Sequence, residues 1–293
     1  MQPRLTIAGA TGQVASALLR QAQTRPVSAQ ACGRPQLDLA DMASIVRCLD
    51  STRPDVVINA AAYTAVDKAE SEPDLAYAIN ARGPGSLAAA CAERGVPLIH
   101  ISTDYVFDGS KTSPYREDDA IAPLGVYGQS KADGEAAVRH SNPRHVIART
   151  SWVYGPDGAN FLKTMQRLAA TRDEIGVVGD QHGAPTYTDD LASALLGIAI
   201  ELAQSPQDAA WGTYHIAGGG QTTWHGFASE IFAHHRAAGH KVPRLNEIST
   251  AQYPTPARRP AYSVLDQAKI GASFGVKMPD WRDSLTRHFA DRP

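Results

Sequence analysis

An α/β fold built on a doubly wound parallel sheet, with a smaller α/β lobe appended, follows from three observations on this 293-residue sequence. Short apolar runs recur along the first half, each is followed by a longer segment of helical periodicity, and near residue 150 Gly and Pro become frequent and strands isolated. The length is enough for two ordinary domains, or for one larger domain carrying a small lobe.

The expected strands are Leu5 to Ala8, Val27 to Ala31, Val56 to Asn59, Leu98 to Ser102 and His145 to Arg149. Helical periodicity runs over Val14 to Gln23, Met42 to Thr52, Leu75 to Ala78 continuing through Leu87 to Arg94, and Lys131 to Arg139. Right-handed crossovers put these helices on both faces of the sheet. A boundary is drawn after residue 150, giving a first domain over 1–150 and a discontinuous lobe over 151–293. Asp189-Asp190 reads as a cap for a helix over Leu191 to Leu202, and Tyr214 to Ala217 as a further strand, so about 189–218 is expected to return to the first domain. The stretch from Tyr253-Pro254-Thr255-Pro256 to Arg258-Arg259-Pro260 reads as an ordered irregular loop.

Composition narrows the function classes. The 28 basic and 30 acidic residues leave a formal charge of -2, without the basic footprint that a nucleic acid requires. Cys32, Cys48 and Cys91 are odd in number, far apart and in no ligand pattern, so buried reduced thiols are expected rather than disulfides or zinc. Met1 leads almost directly into the first strand and no run approaches membrane-spanning length, so the expectation is a cytoplasmic protein with no membrane partner.

Gly9-Ala10-Thr11-Gly12-Gln13-Val14-Ala15 follows the first strand and opens a helix, the context of a Rossmann-like dinucleotide loop. Gly9 permits the sharp turn, Gly12 lets amides approach a pyrophosphate, and Ala15 allows close helix-strand packing. Taken without that position, the pattern is an ordinary tight turn. No carboxylate ends the second strand to accept a ribose 2′-hydroxyl; Gly33-Arg34 stands there, and a guanidinium suits a 2′-phosphate, which favours NADPH and admits NADH. A solvated Arg34 explains that position equally well. Asp38 and Leu39 are expected beside the adenine, and Ala60, Ala61, Ala62, Tyr63 and Thr64 where ribose and diphosphate pass.

Ser102-Thr103-Asp104 ends an apolar strand, and Tyr127 and Lys131 share one face of a helix. Reduction of a carbonyl by hydride needs a proton donor at oxygen, and a free phenol, with a pKa of about 10, is sluggish at neutral pH. An ammonium beside it lowers that value, so Lys131 is expected to acidify Tyr127 while holding the nicotinamide ribose. The Thr103 hydroxyl is expected to hydrogen-bond the oxygen that becomes anionic. Trp152 at the end of the next strand faces a crevice or packs in a core. Asn160, Phe161 and Arg259 suit a nucleoside diphosphate, Arg259 as phosphate partner, or simply pack a loop. Asp180-Gln181 and Pro185-Thr186 read as a turn of the lobe, near a sugar or only a turn. His234, His235 and His240 read as a solvated helix end, and Asp67, Lys68, Glu70 and Glu72 as an exposed helix face.

These motifs resemble those of the dTDP-4-dehydrorhamnose reductases, extended short-chain dehydrogenase/reductases, along nearly the whole chain. The resemblance lies in residues 9 to 14, 59 to 70, 102 to 109, 127 to 131, 149 to 155, 180 to 186, and Arg259-Pro260. It implies Thr103, Tyr127 and Lys131 as the catalytic set, Ser102 and the glycine loop with Thr11, Gln13 and Val14 at the cofactor, and Asp104 and Trp152 at the substrate. The implied reaction reduces a 4-keto sugar to dTDP-L-rhamnose, for nucleotide-sugar and lipopolysaccharide or O-antigen biosynthesis. Similar dehydratases carry an Asp-Glu pair after the threonine; here Tyr105 follows Asp104, which argues against dehydration. Some members of the family form a dimer bridged by magnesium. The matching positions here are Ala17, which has no ligand oxygen, and residues near Asp189 and Asp291, an incomplete set that binds magnesium poorly, so no metal is expected and the chain is read as monomer or homodimer. Two other readings stay open: a reductase or epimerase of another nucleotide sugar, and an NADP-binding regulatory subunit, since the regulatory subunit of methionine adenosyltransferase resembles the same family.

Overall fold

Six strands form one parallel sheet in a computed structural model that describes residues 2–207 and 209–291. The outer ends drawn for the two domains, Met1 and Pro293, lie outside the described residues. In chain order the strands are β1 (Arg4–Ala8), β2 (Ser28–Cys32), β3 (Val56–Asn59), β4 (Leu98–Thr103), β5 (His145–Thr150) and the segment Gly212–His215. From one edge to the other they lie as Gly212–His215, β5, β4, β3, β1, β2. The chain leaves β1 for β2 and returns on the other side to β3, so the order reverses at the β1/β3 boundary, where a crevice opens beyond the carboxyl ends of the strands.

The inner strands are largely apolar on both faces because helices cover both. On one face Leu5, Ile7, Val56 and Val146 pack with Leu18 of α1 (Gln13–Ala22) and with Leu191, Leu195 and Leu202 of the helix Thr188–Gln204. On the other, Ala8, Val57, Leu98 and Ile147 pack with Ile45 and Leu49 of α2 (Met42–Thr52) and Leu87 of the helix Gly83–Glu93. A separate cluster, with Tyr154, Leu162, Phe227, Ile231, Trp281 and Leu285, sits beside the sheet under short paired strands.

The helical stretch expected around residues 75–94 is interrupted. It consists of helix Pro73–Tyr77, one wider π turn at Ala78–Arg82, and helix Gly83–Glu93. The turn carries the fully buried Asn80, whose carboxamide accepts from Tyr63 N–H (2.8 Å) and donates to Tyr63 O (3.0 Å) and Ser130 Oγ (3.1 Å). One polar side chain thus ties the loop after β3 to the helix that carries Tyr127 and Lys131.

Candidate active site

The crevice begins at the glycine turn. Gly9 has φ 107°, its N–H donates to Cys32 O at 2.8 Å, and a side chain there would stand 3.2 Å from Ala61 N. Glycine alone gives the turn this conformation and lets the β3 end pass so closely. α1 then starts at Gly12 with no side-chain cap and no acid in its first turn, leaving amides free to face an anion. Gly9, Thr11, Gly12, Arg34, Asp38, Leu39 and Ala60 to Ala62 line a cavity of about 400 Å³. Thr11, Gly12 and Ala60 to Ala62 also line an adjoining one of about 580 Å³, together with Gln13, Val14, Thr64, Ser102, Thr103, Asp104, Tyr127, Lys131, Trp152 and Asn160. Length, the unblocked α1 amides and the missing Cβ atoms fit a dinucleotide laid across the sheet. A still larger cavity, about 790 Å³, lies at the Gly212–His215 edge, lined by Arg116, Arg139, Thr213 and Lys269 and by none of the predicted residues.

Three predicted residues are not in the crevice walls: Tyr63, Arg259 and Phe161, which packs against Trp224 and Phe227. The Tyr63 hydroxyl donates to Glu72 at 2.6 Å. The Arg259 guanidinium is bound to Asp67 (2.8 Å), Thr255 Oγ1 (2.5 Å) and Ala257 O (3.1 Å), which closes the proline-rich loop onto the helix Val66–Ala69. Asp67 and Glu70 are therefore not the exposed face that their sequence suggests. Glu70 Oε1 accepts from Val126 N–H at 2.8 Å and so caps the helix Val126–Ser141, which carries Tyr127 and Lys131. Gly128 of that helix has no room for a side chain against Tyr105 O, so the helix presses directly on the turn that follows Thr103.

Tyr127 stacks edge-on against Tyr105, with centroids 5.5 Å apart. Burial pushes its phenol up to about 12; the Thr103 hydroxyl pulls the other way and the Asp104 carboxylate adds to the rise. Lys131 takes no part in this, which corrects the expectation that it acidifies Tyr127. Its Nζ is anchored instead to Ile101 O at 2.7 Å, only 2% of the residue is exposed, and burial lowers its ammonium to about 8 against the pull of Glu135. Thr103 differs as well: it donates its proton to Asp104 Oδ1 (3.0 Å) and accepts from Tyr105 N–H (3.2 Å), so no proton is left for a substrate oxygen while Asp104 is ionised. Burial raises that carboxyl to about 6, opposed by the hydroxyls of Ser263 and Thr103.

Four residues beyond Lys131 on the same helix, Glu135 is fully buried and takes two hydrogen bonds from Arg149 of β5, at 2.8 and 2.7 Å. Burial works against its charge, yet the Arg149 pair holds it below the ordinary carboxylate value. On the opposite wall Trp152 has φ 46°, a conformation that a bulky side chain seldom adopts, and its indole lies flat on Trp224, centroids 3.5 Å apart. Asn160 caps the helix Phe161–Ala169 through Lys163 N–H (3.0 Å) and donates to Gln13 Oε1 (2.9 Å), linking the lobe to the start of α1. Asp180 caps the turn at Thr250, and Asp189 is paired with Arg20 at 2.5 Å. The functional neighbours that sequence reasoning missed are Asp67, Glu70, Asn80, His100, Glu135 and Trp224. Asn80, a polar residue within an apolar helical stretch, was the one with a local signal.

A phenol and an amine one helical turn apart, opening on the same crevice as a glycine turn, is the arrangement of the short-chain dehydrogenase/reductase class. A family model described as RmlD substrate binding domain matches residues 3–292, and the chain belongs to this family. It is 47% identical over 285 residues to a dTDP-4-dehydrorhamnose reductase of Sinorhizobium fredii, covering 97% of this chain and 96% of that one. Among solved structures it is similar to a dTDP-4-dehydrorhamnose reductase of Clostridium acetobutylicum (TM-score 0.90, 40% identity, 98% of each chain). It is also similar to that of Bacillus anthracis in complex with NADP (TM-score 0.91, 37% identity, 99% of this chain and 100% of the other).

Proposed function

We propose that this chain is an NADPH-dependent oxidoreductase that reduces the 4-keto group of dTDP-4-dehydro-L-rhamnose to dTDP-L-rhamnose in the cytoplasm. The observation that carries the reading is the partly open Tyr127 phenol, held neutral beside Thr103 in the crevice that the glycine turn begins. NADPH, when bound, supplies the hydride that enters at C4. Tyr127 gives its proton to the oxygen as negative charge develops there; its conjugate base is weaker than an alkoxide, whose acid is about as weak as water, so the transfer runs downhill. Thr103, held by Asp104, stands beside the Tyr127 hydroxyl and favours the phenolate left when that proton is gone. Lys131, fixed at Ile101 O, would hold the nicotinamide ribose through its other N–H groups.

For the cofactor we assign Gly9, Thr11, Gly12, Gln13, Val14, Arg34, Asp38, Leu39, Ala60 to Ala62, Thr64 and Ser102, in a domain of 1–150 completed by about 189–218. Trp152 and Asn160 face the sugar nucleotide, and Arg259 reaches a phosphate only by giving up part of its hold on Asp67. Mixing the purified protein with NADPH and the keto sugar tests the reading. Loss of nicotinamide absorbance is expected, together with at least a hundredfold fall in kcat for Tyr127→Phe, the size of a lost general acid. No absorbance change, or a Tyr127→Phe variant equal to wild type, refutes it.

A further inference from the structure

Behind Lys131, on the side away from the crevice, a chain of buried polar groups crosses from β3 to β4. Asn59 and His100 are fully buried and Lys131 is 2% exposed. Asn59 Oδ1 accepts from Ala61 N–H at 3.1 Å, which turns its Nδ2 toward His100 Nδ1 at 3.0 Å. A carboxamide nitrogen only donates, so Nδ1 must be the bare acceptor and the neutral ring carries its single proton on Nε2. The ring is neutral because burial, and then the Lys131 charge, hold His100 well below its ordinary value. Nε2 stands 3.5 Å from Lys131 Nζ. Two donors therefore face each other, and neither offers the other a lone pair while Lys131 is protonated.

We propose that Asn59 and His100 are positioning residues for Lys131: by fixing the Nε2–H tautomer they deny the amine an acceptor on its inner side and turn its unspent N–H groups into the crevice. Ile101 O is then the inner anchor, at 2.7 Å. Of the titratable groups around Lys131, Glu135 of its own helix pulls toward the ammonium but is itself bound by Arg149 of β5; His100 of β4 is neutral and carries no charge against it; Asp104 and Tyr127 act on one another beside Thr103. The role in catalysis rests on the reading of Lys131 given above, whereas the tautomer does not.

Long-range 1H–15N NMR on the cofactor-free protein reads the ring directly, with His100 assigned through its own Cβ. A neutral Nε2–H pattern from about pH 6 to about pH 9 is expected. An Nδ1–H pattern, or an imidazolium titrating in that range, overturns the proposal. In Asn59→Asp a carboxylate accepts from both Ala61 N–H and the ring, which moves the ring proton to Nδ1 and makes Nε2 an acceptor for the ammonium. The Lys131 titration, followed through its 13Cε shift, then rises by about one pH unit. The alkaline limb of kcat/KM for ketone reduction moves up with it. A folded Asn59→Asp protein whose Lys131 titrates where the wild type does also overturns the proposal. Because the NMR readings need no substrate, an inactive wild type counts against the proposed function and leaves these outcomes to decide the positioning role.

Discussion

Lys131 burdens the fold it serves, and replacing it measures by how much. Its ammonium falls from an ordinary 10.5 to about 8 by burial, a difference that corresponds to about 3 kcal/mol against the charged form. Lys131→Met removes the charge and keeps most of the apolar stem, but leaves Ile101 O without its 2.7 Å donor, a loss of about 1 kcal/mol. The variant should therefore be about 2 kcal/mol more stable than wild type at neutral pH, while losing activity. The pH dependence carries the sign. Between about 8 and 10.5 the folded protein binds fewer protons at this site than the unfolded chain, so wild-type stability rises with pH across that window. The advantage of Lys131→Met is thus full below about 8 and closes toward 10.5. Urea midpoints for both proteins at neutral pH and near the upper end of the window test this. A less stable variant at neutral pH, or a gap that does not change with pH, refutes the reasoning.

Glu135→Gln leaves Arg149, 3% exposed, without its counter-charge, and should cost about 3–5 kcal/mol in chemical denaturation. Adding Arg149→Met should recover much of that loss; a single variant within about 1 kcal/mol of wild type contradicts the role given to the pair. Asp104→Asn acts through a carboxyl that burial raises from 3.8 to about 6, so the folded state holds more protons than the unfolded chain across that window and wild-type stability falls as pH climbs through it. The variant should gain up to about 3 kcal/mol above pH 6 and nothing at the acidic end, which urea midpoints at the two extremes would reveal.

The sheet was legible because its inner strands are largely apolar on both faces and alternate with helical periods; Val56 to Asn59 and Leu98 to Ser102 lie where the sequence puts them, give or take a residue. The strand expected at Tyr214 to Ala217 begins two residues earlier, since Gly212 and Thr213 pair with Val146 and Ile147 although neither is apolar. In the candidate site, residues announced by a local pattern, the glycine turn and the Tyr127/Lys131 spacing, could be read directly. Glu70 could not: its partner Val126 lies 56 residues away, and nothing beside it distinguishes a helix cap from a solvated acid. The electrostatics were hidden for the same reason. Spacing brings Lys131 to Tyr127, but the carbonyl of Ile101 and the ring of His100, both on β4, decide where its ammonium goes.

The most direct test of the central claim follows one atom. NADPH deuterated at C4 of the nicotinamide, turned over with the dTDP-linked 4-keto sugar, should leave deuterium at C4 of the product sugar, in one configuration, and Tyr127→Phe should slow its appearance at least a hundredfold. A product without deuterium at that carbon, or one formed equally fast when the phenol is absent, would contradict it.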